Sequence, residues 1–183
     1  MFRASSPPSL GMLPKEEGVA MLRIGQGFDL HRTKVGRHLV IGGVEIPSAF
    51  GLDGHSDADV LLHAVTDAFL GALALGDIGQ RFPDKDPKYL GADSAELLKS
   101  VLRDKAFQGW RVVNLDCTLF AEAPKFSPWS LKVRQSLADI IGCDVSQVSV
   151  KAKTNEKQDA IGRGEAIAAS AILLLERRSD ATC

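Results

Sequence analysis

In "RIGQGFDLHRTK", residues 23–34, the side chains alternate in character as they do along a β-strand, whose successive residues point to opposite faces. Phe28 and Leu30 fall on one face, and Asp29 and His31 on the other. A strand is predicted over residues 22–32. A second is predicted in "HLVIGGVEIP", ending at Pro47, where Gly42 and Gly43 mark a bulge or a close approach of backbone. "SAFGLDG" reads as a loop.

The period then lengthens. In "HSDADVLLHAVTDAFLGALALG" Val60, Leu61, Ala64, Val65 and Ala68 form one apolar stripe, predicting a helix of about five turns. Ser56 is its candidate N-cap, with Asp59 in the capping-box position and Gly76 as a stop. Asp59, His63 and Asp67 recur every four residues and make a separate polar row, with His55 one step earlier. "DIGQRFPDKDPKYLGAD" is a polar, turn-rich segment that reads as a working loop.

A second helix follows in "SAELLKSVLRDKAFQ", capped by Asp93 or Ser94, then a long strand in "WRVVNLDCTLFAE". "SPWSLKVRQSLADIIG" reads as a third helix, with Pro128 near its first position and Gly142 just past its end. "VSVKAKTNEK" and "AIAASAILLLERR" are the last two strands. Mixed strands and helices without a repeat predict an α+β fold: a two-layer sandwich of one mixed β-sheet with helices on one face. Residues 22–178 form its single domain. Residues 1–21, rich in Ser, Pro and Gly, read as a disordered extension or a tag or targeting remnant, and 179–183 as a tail.

Composition narrows the function. The chain has 183 residues, 45% hydrophobic and 25% charged, enough for one domain with a sizeable core. Its net charge of -1 argues against nucleic-acid binding, which leaves a basic footprint, but permits a local cationic pocket. No apolar run approaches the roughly 20 residues of a membrane helix. Cys117, Cys143 and Cys183 have no CxxC spacing and read as free thiols in a reducing compartment, the first two as packing residues.

Three of the four histidines sit in suggestive places. A strand offering Asp29 and His31 beside a helix offering His63 would supply three ligands and leave one position open, the pattern of catalytic zinc. Asp67, one turn on, could accept the spare ring N–H of His63. The alternative is a solvated helix face. His38 lies in a loop and reads as incidental. "HSDAD" at a helix start gathers backbone N–H groups, the Ser56 hydroxyl and the His55 imidazole, a ready anion site. Gly79 in "DIGQRF" gives room for a ligand, or a plain turn. Lys151 and Lys153 share a strand face, either as an edge-strand defence or as a cationic rim for phosphates. Glu156 beyond them could hold a divalent ion, and Arg163 between glycines could take a phosphate.

"RIGQGFDLHR", "IGGVEIP", "GHSDADVLLHAVTDAFLGALALGDIGQRFPD", "EAPK", "VKAKTNEK" and "GRGEAIA" together resemble the 2-C-methyl-D-erythritol 2,4-cyclodiphosphate synthase family, in order and register from Leu22 to Arg178. The resemblance implies an enzyme that cyclises 4-diphosphocytidyl-2-C-methyl-D-erythritol 2-phosphate and releases CMP, in the non-mevalonate route to isoprenoids. It implies a homotrimer, with its sheets around a threefold axis and active sites between subunits.

It further implies that Asp29, His31 and His63 bind zinc and face the β-phosphate. His55 and Ser56 would contact the 2-phosphate region, and Asp77 and Gly79 the ribose and methylerythritol. Ala121, Pro124 and Lys125 would form the cytidine pocket from a neighbouring subunit. Lys153 and Thr154 would contact the diphosphate, making His55, Lys153 and Thr154 the catalytic residues, and Glu156 would hold magnesium or manganese. Arg163 and Glu165 would lie near the axis, where arginines bind an isoprenoid diphosphate in a central cavity.

Two positions depart from the family pattern. Gln26 stands where a histidine is usual, outside the metal triad. Ala160 stands where an aromatic is frequent, which bears on the axial ligand more than on catalysis. The implied compartment is the cytoplasm, or the plastid in a plastid-bearing eukaryote. The rival readings are a zinc-dependent phosphohydrolase acting on a nucleotide diphosphate, and a non-catalytic trimeric nucleotide-binding protein. In the cyclase reading Phe28 and Leu30 are buried while the opposite face of the same strand offers two ligands.

Overall fold

The structure is a computed structural model and describes residues 20–83 and 85–178. One five-stranded sheet organises it. Its strands are β1 (Ala20–Val35), β4 (Phe50–Leu52), β5 (Arg111–Phe120), β6 (Val148–Lys153) and β7 (Ala166–Arg178), in the order β4-β1-β7-β5-β6. Only the β5–β6 pair is parallel. The sheet is therefore mixed, as the residue pattern predicts. Helices α1 (Val60–Ala72), α3 (Ser94–Leu102) and α4 (Ser130–Ile141) are the longer helices of the chain. Two four-residue helices, α2 (Ile78–Arg81) and α5 (Asp159–Gly162), interrupt loops.

Several boundaries differ from expectation. β1 starts at Ala20, inside the stretch assigned to the extension, because Ala20 and Met21 pair with Arg178 and Arg177. Residues 1–19 and 179–183, with Cys183, lie outside the described residues. "HLVIGGVEIP" is a hairpin rather than one strand. β2 (Leu39–Ile41) pairs antiparallel with β3 (Val44–Ile46), and Gly42 and Gly43 between them have φ of 60° and 73°. Two successive left-handed residues make the turn that suits a tight hairpin. α1 is shorter than predicted, and Ser56 does not cap it. Asp59 does, accepting from Leu61 N and Leu62 N. The same carboxylate accepts from Gly42 N and Gly43 N, so it ties the hairpin turn to the helix start. Pro128 stands ahead of the cap residue Trp129 rather than at the start of α4, whereas Gly142 ends that helix in the left-handed conformation.

The face of β1 that meets α1 is the one with small residues. Gly25 and Gly27 are buried beneath the helix, and a Cβ built on Gly27 would lie 2.0 Å from the Ala64 carbonyl oxygen. Strand and helix backbones thus approach closely, and their next residues, Asp29, His31 and His63, are brought together. The alternation of β1 is as predicted, but the burial is not. Phe28 is 55% and Leu30 44% exposed, because their side of the sheet carries no long helix. Leu22, Ile24 and Ile172 share that face and are exposed with them. Gln26 also points that way, opposite to the ligand face.

Candidate functional site

Asp29 and His31 leave β1 on its helix side, and His63 comes down from the second turn of α1 to meet them. Asp29 Oδ2 lies 2.9 Å from His31 Nε2 and 2.9 Å from His63 Nδ1, and the two ring nitrogens are 3.0 Å apart. The three atoms form a nearly equilateral triangle. His31 Nδ1 lies 2.9 Å from the Asp53 carbonyl oxygen. A carbonyl only accepts, so Nδ1 carries the hydrogen and Nε2 turns its lone pair inward. A proton can take the place of a cation here: where the rings carry hydrogen on the atoms facing Asp29, burial raises its carboxyl but the hydrogen bonds and charge of His31 and His63 outweigh it and hold the group well below the usual carboxylate range.

Electron-rich atoms at this spacing repel unless a cation or proton lies among them. Nitrogen and oxygen ligands of tetrahedral zinc, with bonds of about 2.0–2.1 Å, sit roughly 3.3 Å apart, so these atoms need to part by only a few tenths of an ångström. The triad is the one cluster of three or more such groups found among the described residues that could hold a metal ion.

The triad forms one wall of a cavity of about 370 Å³, whose lining includes His55, Ser56, Ile78, Gly79 and Tyr89. A larger cavity of about 450 Å³ lies near Trp110 and Leu175, at the other end of the sheet. It holds no cluster of ligating groups, so the chemistry favours the smaller one. The floor of the smaller cavity is stiff. Arg37 spans two carbonyls of the 54–56 turn, donating to Gly54 O and Ser56 O at 2.7 Å each. Ser56 Oγ accepts from Ala58 N at 3.1 Å and lies 3.2 Å from His63 Nε2.

Asp67 does not support His63 as predicted. It accepts from Ile78 N at 2.7 Å, and burial raises its carboxyl. The partner of the His63 ring is instead Ser94 Oγ, 3.0 Å from Nε2, with Asp57 behind it. Sequence reasoning missed both residues in this role. Asp57 and Ser94 are 37 positions apart and carry no local signal for the contact. Asp77, expected at the ribose, caps α2 through Gln80 N, beside the Gly79 that lines the cavity. His38 is exposed and pairs with Glu45, away from the site.

The other predicted residues form a second group. Ala121 N donates to Lys153 O, and Thr154 Oγ1 donates to Glu156 Oε1 at 2.6 Å. Pro124 and Lys125 follow Ala121 on the same loop. Lys153, Thr154 and Glu156 are exposed, and Lys153 has no ion pair among the described residues, whereas Lys151 is paired with Asp116. Glu156, Lys157 and Asp159 have φ of 50°, 62° and 54°, a run of left-handed non-glycine residues of the strained kind that gathers at binding loops. Arg163 is held by Glu165 through two bonds of 2.9 Å.

Leu30, Ala168, Phe120 and Lys153 are successive partners across the sheet. At about 4.8 Å per strand, Lys153 is roughly 14 Å from β1. It also projects from the face that carries only the short α5, opposite to Asp29 and His31. Within one chain Lys153 does not reach the triad.

A family model described as "YgbB family" matches residues 22–176. The chain is 55% identical over 157 residues to a 2-C-methyl-D-erythritol 2,4-cyclodiphosphate synthase of Geobacillus kaustophilus, covering 86% of this chain and 99% of that one. It is 46% identical over 176 residues to a chloroplastic synthase of the same name from Oryza sativa, covering 96% of this chain and 79% of that one. Among solved structures it resembles a Plasmodium falciparum IspF–CDP complex, with a TM-score of 0.75 and 33% identity, covering 90% of this chain and all of that one.

Proposed function

This chain belongs to the YgbB family, and from that we propose how its residues carry out a cyclodiphosphate synthase reaction. The chain is a lyase-type enzyme of isoprenoid biosynthesis that closes 4-diphosphocytidyl-2-C-methyl-D-erythritol 2-phosphate into the 2,4-cyclodiphosphate. In the reading proposed here, an oxygen of the 2-phosphate attacks the β-phosphorus in line, and the bond to the departing CMP breaks. The protein supplies no nucleophile. It must fold a flexible anion until its ends meet, and such orientation contributes about 7–11 kcal/mol.

Asp29, His31 and His63 would hold zinc, and Glu156 would hold magnesium or manganese. When bound, these ions supply positive charge that draws electron density from the phosphates. His55 and Ser56 orient the 2-phosphate at the cavity wall, and Asp77 and Gly79 fix the sugar portions. Lys153 and Thr154 bind the diphosphate, while Ala121, Pro124 and Lys125 surround cytidine. The exposed apolar face of β1 and the separation of the two residue groups support a homotrimer whose sites each combine two chains. Arg163 belongs near the axis, where an isoprenoid diphosphate is the expected ligand. The enzyme works in the cytoplasm, or in the plastid of a plastid-bearing source. No helix among the described residues is long and apolar enough to cross a membrane.

The observation that carries this reading is the triangle of Asp29, His31 and His63 atoms in the wall of the anion cavity. Metal analysis joined to a CMP-release assay tests it. His63→Ala is expected to lose zinc and CMP release while the trimer persists, and full turnover by that variant would refute the assignment. Oxygen from solvent water in the product would favour a phosphohydrolase instead.

A further inference from the structure

Ser94 opens α3 and is almost wholly buried, 1% exposed. Its hydroxyl lies 2.5 Å from Asp57 Oδ1, and its backbone N–H donates to Asp57 Oδ2 at 3.1 Å. Asp59 N also donates to Asp57 Oδ1, at 3.2 Å. The Asp57 carboxylate is thus held by three donors and has a fixed orientation. A carboxylate accepts only, so the hydroxyl proton of Ser94 is committed to Asp57.

The same Ser94 oxygen stands 3.0 Å from His63 Nε2. With its proton already used, it can only accept there, so the ring must carry its hydrogen on Nε2. A neutral imidazole with Nε2–H has its lone pair on Nδ1. Nδ1 is the atom that faces Asp29 Oδ2 at 2.9 Å and His31 Nε2 at 3.0 Å.

We propose that Asp57 and Ser94 are positioning residues that lock His63 in the Nε2–H tautomer, so that Nδ1 is always the atom presented to the metal. Neither touches the metal position or lines the cavity. The relay rests on the metal reading above for its purpose, but its geometry is complete within the chain. It also constrains the hydrogen of Ser56. Ser56 Oγ accepts from Ala58 N and lies beside an Nε2 that is already protonated, which leaves its own proton to donate either to Ser94 Oγ, 3.5 Å away, or to an anion in the cavity that Ser56 lines.

A purely structural clip between two loops is the competing role. Backbone bonds already make that clip: Gly91 N donates to His55 O at 2.8 Å and Asp57 N to Ala92 O at 3.1 Å. Both survive loss of either side chain. A carboxylate that orients an imidazole through hydrogen bonding is known to act this way, since its amide replacement keeps the geometry but inverts the tautomer. Outer partners of metal-binding histidines typically contribute about 10–100-fold in metal affinity.

The test uses the full chain with histidine labelled with nitrogen-15. The tautomer of His63 is read by NMR in metal-free protein, above the histidine titration range, and zinc affinity is read by competition with a chromophoric chelator. Wild-type His63 is expected to be protonated at Nε2, whether or not Nδ1 shares a proton with Asp29 when the site holds no metal. Ser94→Ala and Asp57→Asn are expected to admit the Nδ1–H form and to weaken zinc binding by about 10–100-fold. An unprotonated Nε2 in the wild type overturns the relay, as does retention of the wild-type Nε2 protonation and affinity in the variants. His63→Ala separates the two readings. If it binds zinc as tightly as wild type, the metal assignment fails, while the wild-type tautomer still decides the relay. That tautomer is measured on wild-type protein, so the outcome does not depend on either variant folding.

Discussion

Gly27 does more for the metal site than its lack of a side chain suggests. Its missing Cβ lets β1 lie against the backbone of α1, one residue from Phe28 and two from Asp29. With alanine there, the new carbon would sit 2.0 Å from the Ala64 carbonyl oxygen, a fixed backbone atom. Strand and helix would have to part. Gly27→Ala is expected to cost about 1–3 kcal/mol, as overpacking does. It should also lower zinc affinity, because His63 rides on the helix that moves while Asp29 stays with the strand. Urea denaturation and a chelator competition measure the two effects, and unchanged affinity would show that helix and strand shift together. The alternation of "GFDLH" reveals which residues share a face. It cannot reveal that Ser94 and Asp57 meet His63, because no short-range rule links positions so far apart. Among the described residues, Cys117 and Cys143 lie outside the triad. Burial pushes Cys117 up to about 12 and also raises Cys143, which agrees with packing residues.

Asp59 joins the β2–β3 hairpin to the first turn of α1. As a cap alone its loss would cost about 0.5–2 kcal/mol. Here the N–H groups of Gly42 and Gly43 would lose their acceptor as well; Gly43 is exposed and can turn to water, but Gly42 is buried, and a buried donor left unsatisfied costs about 1–3 kcal/mol. Asp59→Ala is therefore expected to destabilise by more than an isolated cap does, with Asp59→Asn intermediate, both read from urea midpoints at constant slope. A loss below about 1 kcal/mol would mean that water replaces the carboxylate. The "GG" in "IGGVEI" was open to a bulge or to close approach. The structure makes it a turn because two left-handed residues in succession bend the chain back, and Asp59, which the sequence cannot place opposite them, fixes that bend.

The exposed apolar face of the sheet is the surface on which the proposed trimer would form. Leu22, Ile24, Phe28, Leu30 and Ile172 together exceed what scattered surface residues explain, and contiguous apolar patches of this kind mark association sites. Ile24 is 71% exposed and lies away from the ligands on β1. Ile24→Arg is expected to shift the trimer toward monomer in sedimentation velocity. The monomer should still bind zinc, since Asp29, His31 and His63 come from one chain. In the shared-site reading it should lose CMP release, since Lys153 stands roughly 14 Å from β1 on the opposite face and would be supplied by a neighbour. A monomer that turns over at the wild-type rate would overturn the shared-site arrangement.

Alternation and helical periodicity determined the strands β1, β5, β6 and β7, the three longer helices, the mixed α+β class and the pairing of Asp29 with His31 on one face, but not the β2–β3 hairpin or β4, which falls in the segment read as a loop. These follow from local geometry, which repeats every two or 3.6 residues and is written in neighbouring side chains. Tertiary structure decided the rest. It placed Asp59 rather than Ser56 at the helix start, gave Asp67 to Ile78 rather than to His63, and set Ser94 and Asp57 behind the imidazole. It also turned Phe28 and Leu30 outward. Each of these depends on which distant segment packs alongside, and the number and close approach of those neighbours is a property of the folded chain.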